Sequence, residues 1–203
     1  MELLFATGNP AKVKSIKKKI NDDSLEIISL KDLGLELDVE ETGKNSIENA
    51  IIKAKAAYRL SGKISFGMDN SLFIKELPEE KQPGTHVRRV GGKVLTDEEA
   101  IDYYRGLVKK YGQKLTCTWN YGMAMYDGKN LETHTWNMED FYFMDDCAEK
   151  INVGYPLDSI SFIPRYNKFL VDLTKEEREE LKKYEPKDGV SEFVHGYLEK
   201  YCK

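Results

Sequence analysis

Short apolar runs alternate along the chain with segments whose apolar residues recur every three to four positions, a pattern of strands interleaved with amphipathic helices. Leu3-Leu4-Phe5-Ala6 is a short buried-strand signal, and Thr7-Gly8-Asn9-Pro10 behind it is turn chemistry. From Pro10 the pattern predicts a basic helix, with Val13, Ile16 and Ile20 on one face and Lys12, Lys14, Lys17, Lys18 and Lys19 around it. Leu25-Glu26-Ile27-Ile28-Ser29-Leu30 reads as a second strand. The best-marked helix starts at Asn45, a capping residue with Glu48 in capping-box position, and stops at Gly62. Its apolar stripe is Ile47, Ala50, Ile51, Ala54 and Tyr58, while Asn49 and Lys53 share a different face at i, i+4. Ile64-Ser65-Phe66-Gly67-Met68 is then a strand running into Asp69-Asn70-Ser71, which places Asp69 at the strand's end.

Residues 76–92 read as a charged, proline-containing loop. Thr96 and Glu99 form a capping box for a helix ending at Gly112. The period then changes to two over residues 115–126, an Asp127-Gly128 turn follows, and a second run covers 131–136, which predicts a β-hairpin. Thr174 and Glu177 cap another charged helix, and residues 191–201 form the last one. Early βα units followed by a meander predict a mixed α/β fold. With no repeat or low-complexity linker, residues 1–203 are expected to form one domain of two lobes.

Composition narrows the function. A chain of 203 residues with 40% hydrophobic and 11% aromatic content has ample material for a globular interior. A formal charge of −4 argues against a nucleic-acid partner, yet leaves room for a local basic pocket. The first residues lack a signal-peptide pattern, and no apolar stretch approaches the roughly 20 residues that cross a bilayer. The expectation is a cytoplasmic protein without a membrane partner. Cys117, Cys147 and Cys202 are scattered, with no C-x-x-C pair and only His86, His134 and His195 to join them, so neither a disulfide framework nor a zinc site is expected.

Three places suggest chemistry. A sharp strand-to-helix turn such as Thr7-Gly8-Asn9 aims backbone N–H groups at an anion, and Lys12 adds an ammonium within one helical turn. It is no Walker A loop, and an ordinary βα turn with a solvated lysine explains the same residues. Asp38, Glu40 and Glu41 form either a solvated acidic loop or part of a cation site. Asp69 is either a turn aspartate or a hard oxygen ligand suited to Mg²⁺.

In chain order these pieces resemble one family. Thr7-Gly8-Asn9-Pro10-Ala11-Lys12 is similar to the T-G-N-x-x-K opening of the inosine/xanthosine triphosphate pyrophosphatases, the Ham1-like enzymes. Glu41-Thr42-Gly43 and Glu48-Asn49-Ala50-Ile51-Ile52-Lys53-Ala54 resemble E-T-G and E-N-A-x-x-K-A, and Met68-Asp69-Asn70-Ser71-Leu72 stands where the family has D-D-S-G-L. Pro83-Gly84 through Arg89 resembles P-G-x-x-S-A-R, Gly154-Tyr155 with Asp158 and Pro164 resembles F-G-Y-D-P-x-F-x-P, and Leu173-Thr174-Lys175-Glu176-Glu177 resembles L-T-x-E-E. The resemblance implies an elongated two-lobed α/β fold around a cleft, usually a homodimer. It implies Mg²⁺-dependent hydrolysis of a nucleoside triphosphate to the monophosphate and pyrophosphate. Thr7, Gly8, Asn9 and Lys12 would then hold phosphates, and Glu41 and Asp69 the metal. Asp69 would also activate water, with Lys12 and Lys53 stabilising developing charge. Asn70, Arg89, Gly154, Tyr155, Asp158, Lys187 and Phe193 would contact substrate.

The chain departs from the family where Met68 replaces the first aspartate of the pair, which removes a carboxylate from the metal's neighbourhood, and where Ser71 replaces a glycine. The family's K-x-x-I-S-H-R, which recognises the purine, becomes Lys187-Asp188-Gly189-Val190-Ser191-Glu192-Phe193. Its glycine-rich approach to G-Y-D becomes Met144-Asp145-Asp146-Cys147-Ala148-Glu149-Lys150. A phosphate end retained and a base end rewritten is the expectation. Phe193 is then expected to stack on a base, and His195 either replaces the lost histidine or is a surface residue. Two other readings stand beside this one: a relative acting on another nucleotide, such as a modified pyrimidine triphosphate, and a non-catalytic nucleotide-binding protein.

Overall fold

A computed structural model describes residues 1–184 and 188–202. Strand β1 (Glu2–Phe5) leads into helix α1 (Pro10–Ile20), whose start is closed by Asn9 Oδ1 accepting the Ala11 N–H at 2.9 Å. Strand β2 (Glu26–Ser29) follows, then helix α2 (Ser46–Ser61). Asn45 caps α2 by accepting the Glu48 N–H at 2.9 Å, and Gly62 ends it in the left-handed conformation. The Glu48 carboxylate reaches back to the Lys44 N–H rather than that of Asn45, so the expected box is displaced by one residue. Strand β3 (Ser65–Ile74) is longer than its apolar run.

At the end of the expected loop, β4 (Arg89–Val90) pairs antiparallel with β5 (Lys93–Val94), just beyond it. Helix α3 (Asp97–Tyr111) carries the full reciprocal Thr96/Glu99 box. Strands β6 (Lys114–Tyr126) and β7 (Leu131–Met144) are hydrogen-bonded neighbours, and β7 continues well past Trp136, because Phe141 and Phe143 are fully buried. Strands β8 (Ser161–Ile163) and β9 (Lys168–Phe169), too short for periodicity to reveal, precede α4 (Lys175–Tyr184) and α5 (Val190–Tyr201). The larger sheet has the order β2-β1-β3-β6-β7-β8-β9. It is mixed: β1 runs parallel to β2 and β3, and β8 antiparallel to β7 and β9. The fold class is mixed α/β, as the element pattern indicates.

The chain divides into two compact units. One holds Met1–Asn70, Tyr121–Trp136 and the residues from Asp188 on; the other holds Ser71–Asn120 and the described residues after Trp136 up to Tyr184. The first unit buries Leu3, Phe5, Ile16, Phe66, Met123 and Val194 in one cluster, with the Phe5 and Phe66 rings stacked at 4.5 Å. The second buries Leu72, Tyr104, Leu115, Phe141, Phe143 and Ile160. Each such side chain removed from water stabilises the fold by about 1.5–3 kcal/mol before entropy is counted.

Two glycines let α2 lie against the first unit's strands. A Cβ on Gly67 would stand 2.2 Å from the Ala50 carbonyl oxygen, and one on Gly122 would stand 2.7 Å from the Ile47 nitrogen. Only glycine permits this approach, and it brings the polar face of α2 onto β3. Cys117, Cys147 and Cys202 are free thiols. No helix among the described residues is long and apolar enough to cross a membrane.

Candidate active site

Asp69 lies inside β3, not at its end, since Leu72 and Ile74 beyond it are buried and keep the strand in the sheet. Alternation along the strand sorts its side chains: Gly67 and Asp69 meet α2, whereas Phe66 and Met68 pack into the first unit's apolar cluster. Met68 therefore takes no carboxylate from Asp69's side of the strand. The expectation that it depletes the metal's neighbourhood is corrected by the two-residue period.

Asp69 is 7% exposed. Its Oδ1 accepts from the Lys53 ammonium at 3.0 Å and its Oδ2 from the Asn49 amide at 2.8 Å. Lys53 also pairs with Glu41 Oε1 at 3.1 Å. A buried carboxylate without such partners would be costly. Asn49 and Lys53, four residues apart on α2, reach Asp69 together. Asn49 is fully buried and its Oδ1 accepts the Gly43 N–H at 2.8 Å, which anchors the loop that carries Glu41.

The first turn is built from its own side chains. Thr7 Oγ1 accepts the Asn9 N–H at 3.1 Å, and Asn9 is committed to capping α1. The exposed Gly8 N–H has no hydrogen-bond partner among the described residues, and the first turn of α1 holds no acidic residue. The Lys12 ammonium is held below its ordinary value, first by burial and next by the Lys53 cation, with Asp69 and Glu41 pulling the other way. Among the described residues no carboxylate lies within ion-pair distance of it. A desolvated, unpaired cation beside an N-terminal helical turn is equipped for an anion.

A family description, the Ham1 family, matches residues 3–183. The chain belongs to the Ham1 family. It is 28% identical over 181 residues to a dITP/XTP pyrophosphatase of Thermoanaerobacter pseudethanolicus, covering 89% of each chain. It is 30% identical over 186 residues to a dITP/XTP pyrophosphatase of Caldanaerobacter subterraneus subsp. tengcongensis, again covering 89% of each. A Ham1 protein from Coxiella burnetii has the same fold, with a TM-score of 0.76 at 21% identity over 98% of this chain and 99% of that one.

The remaining Ham1-type motif positions fall in several places. Asn70 follows Asp69 on β3 and is half-buried. Arg89 is exposed on β4, in the second unit. Gly154, at φ +86°, and Tyr155 belong to a turn of that unit, with Asp158 accepting from Asn152 Nδ2 at 2.8 Å. Burial raises the Asp158 carboxyl, against the Asn152 bond and the Arg178 charge, and burial followed by Asp158 raises the Tyr155 phenol. Lys187 lies outside the described residues. Phe193 stacks on His134 at 5.3 Å, and His134 in turn on Trp136 at 5.7 Å, so one face of its ring is already covered. His195 is tied down, its Nε2 2.8 Å from Asp22 and its Nδ1 2.7 Å from the Ser191 carbonyl.

Proposed function

We propose that this chain is a nucleoside triphosphate pyrophosphatase that cleaves between the α- and β-phosphates with the help of Mg²⁺. The observation that carries the reading is the pairing of Asp69 and Glu41 through Lys53, with the Lys12 ammonium, unpaired among the described residues, in electrostatic range of all three. The relatives named dITP/XTP pyrophosphatase support it.

Phosphoryl chemistry rests on positioning and on neutralising anionic oxygens. Lys12 and the Gly8 N–H bind the polyphosphate, and Lys53 offsets the charge that builds as the bond breaks. Asp69 takes a proton from the water whose oxygen bonds to the α-phosphorus. The bond from that phosphorus to the bridging oxygen breaks, and pyrophosphate leaves with the electron pair.

Two carboxylates that already share one cationic partner suit Mg²⁺, which takes one or two protein carboxylates and fills its shell with water and phosphate oxygens. Among the described residues no cluster of three or more acidic, histidine or cysteine side chains offers a fuller cage, so the donor set fits an ion brought with its nucleotide. Glu41 and Asp69 would hold it. When bound, it supplies further neutralisation of the phosphate oxygens.

The base end differs from the family pattern. Glu192 is exposed and Phe193 is stacked on His134, so the side chains in the His-Arg positions offer a purine no guanidinium or imidazole donor. We expect weak discrimination between inosine triphosphate and the common triphosphates. Pyrophosphate release measured across a triphosphate panel with and without Mg²⁺ tests the whole reading. Release of inorganic phosphate alone, or of nothing, would refute it.

A further inference from the structure

We propose that Asn49 is a positioning residue for Asp69, holding the reactive carboxylate and the Glu41 loop in one fixed arrangement. This rests on the pyrophosphatase reading and adds a residue to it.

Asn49 is fully buried, and both ends of its amide are engaged. The Gly43 N–H, 2.8 Å from Oδ1, can only donate, so the amide oxygen must face it. The amide nitrogen then faces Asp69 Oδ2 at 2.8 Å and requires an acceptor there. This fixes the orientation of the amide chemically and makes Asn49 a bridge from the residue 41–43 loop to β3.

Lys53 alone does not do this. Its ammonium bonds Asp69 Oδ1 and Glu41 Oε1, yet it sits at the end of a four-carbon stem and can follow either carboxylate. The short, buried Asn49 cannot. With Oδ2 held by Asn49 and Oδ1 by Lys53, the carboxylate plane is set from two directions. Backbone packing reinforces the constraint: a Cβ on Gly43 would lie 2.5 Å from Asn49 Oδ1 and 2.7 Å from its backbone nitrogen.

The side chain also has a structural duty, since a buried amide with two bonds stabilises any fold. The two roles separate in the kinetics. A structural loss lowers the melting temperature and leaves turnover of the folded fraction intact. A positioning loss lowers kcat in the folded protein and leaves nucleotide KM within a few-fold, because Lys12 and its turn are untouched.

The experiment compares wild type, Asn49→Asp, Gly43→Ala and a core control, Val108→Ala in the second unit, for kcat, KM and melting temperature on one triphosphate with Mg²⁺. Asn49→Asp keeps the shape and the Gly43 bond but sets an oxygen against Asp69 Oδ2. Gly43→Ala displaces Asn49 without altering any charge, and serves if the first variant does not fold. Both are expected to lose about 10²-fold in kcat, the scale of a misplacement near 1 Å, while Val108→Ala loses stability only. A folded Asn49→Asp or Gly43→Ala with wild-type kcat overturns the assignment of Asn49, as does a kcat loss no larger than that of the control. A wild type that hydrolyses no triphosphate overturns the pyrophosphatase reading itself, and the assignment with it.

Discussion

Lys53 donates to Asp69 Oδ1 across 3.0 Å, from a helix residue to a strand residue sixteen positions later. The same ammonium reaches Glu41, so one cation holds two carboxylates that would otherwise repel. On the proposed reading, this cluster exchanges charge with a polyphosphate and its counter-ion.

The Lys12 ammonium, desolvated and without a carboxylate partner among the described residues, should owe its role to charge. Lys12→Ala is expected to weaken triphosphate binding at least about tenfold at low ionic strength. The deficit should shrink in high salt, where the wild-type attraction is screened. Calorimetric titration at two salt concentrations, with circular dichroism to verify the fold, measures this. Equal affinities at low salt would remove the turn from the site.

Met68 packs with Phe66 on the face of β3 opposite Asp69, so Met68→Asp should not create a metal ligand. It should set a carboxylate among apolar side chains at a cost of about 1–3 kcal/mol. A melting temperature lower by several degrees, with no drop in the Mg²⁺ concentration for half-maximal activity, is the expected result. Unchanged stability with a lower Mg²⁺ requirement would contradict this register of β3, in which Met68 and Asp69 point to opposite faces.

His195 and Asp22 tie α5 to the end of α1, 2.8 Å apart. The Asp22 bond, first, and the Ser191 carbonyl raise His195 above its usual 6.5. A raised folded-state value means that the contribution is complete below pH 6.5 and disappears as pH climbs through the folded value. Asp22 is lowered to about 2, first by Ser24 and then by His195, so its contribution disappears at the other extreme, as pH falls from 3.8 towards 2. Thermal melts of wild type and His195→Gln should differ most near pH 6 and converge towards pH 9. A difference that grows with pH would show the opposite sign of coupling.

Helix starts were legible because capping is local: Asn45, Thr96 and Thr174 each precede a helix they close, whereas Asn9, read only as a turn residue before Pro10, also caps α1. Asp69, Lys53, Glu41 and Lys12 were legible as motif residues, but the contacts that join them were not. The i, i+4 relation of Asn49 and Lys53 was visible, and it gave no hint that Asn49 would be the more buried of the two, because the closeness of α2 to β3 depends on Gly67 and Gly122, which are distant in sequence. Asp69 was expected at a strand end because apolar residues stop at Met68. The strand resumes burial at Leu72, and one polar stretch inside a strand resembles a terminus when read along the chain alone. Phe193, expected to meet a base, has a neighbour in His134 that only tertiary structure reveals.

The proposed chemistry stands or falls on Asp69 activating water for cleavage of a nucleoside triphosphate to monophosphate and pyrophosphate. Asp69→Asn keeps the shape and one acceptor oxygen, for Lys53 or for the Asn49 amide, while removing charge and basicity. Pyrophosphate release with Mg²⁺ and saturating triphosphate, compared between wild type and this variant at equal folded fraction, decides the matter. Wild type should release pyrophosphate, and the variant should be slower by about 10²–10⁴-fold, the scale of a missing general base. A variant that releases pyrophosphate as fast as wild type would contradict the assignment of Asp69.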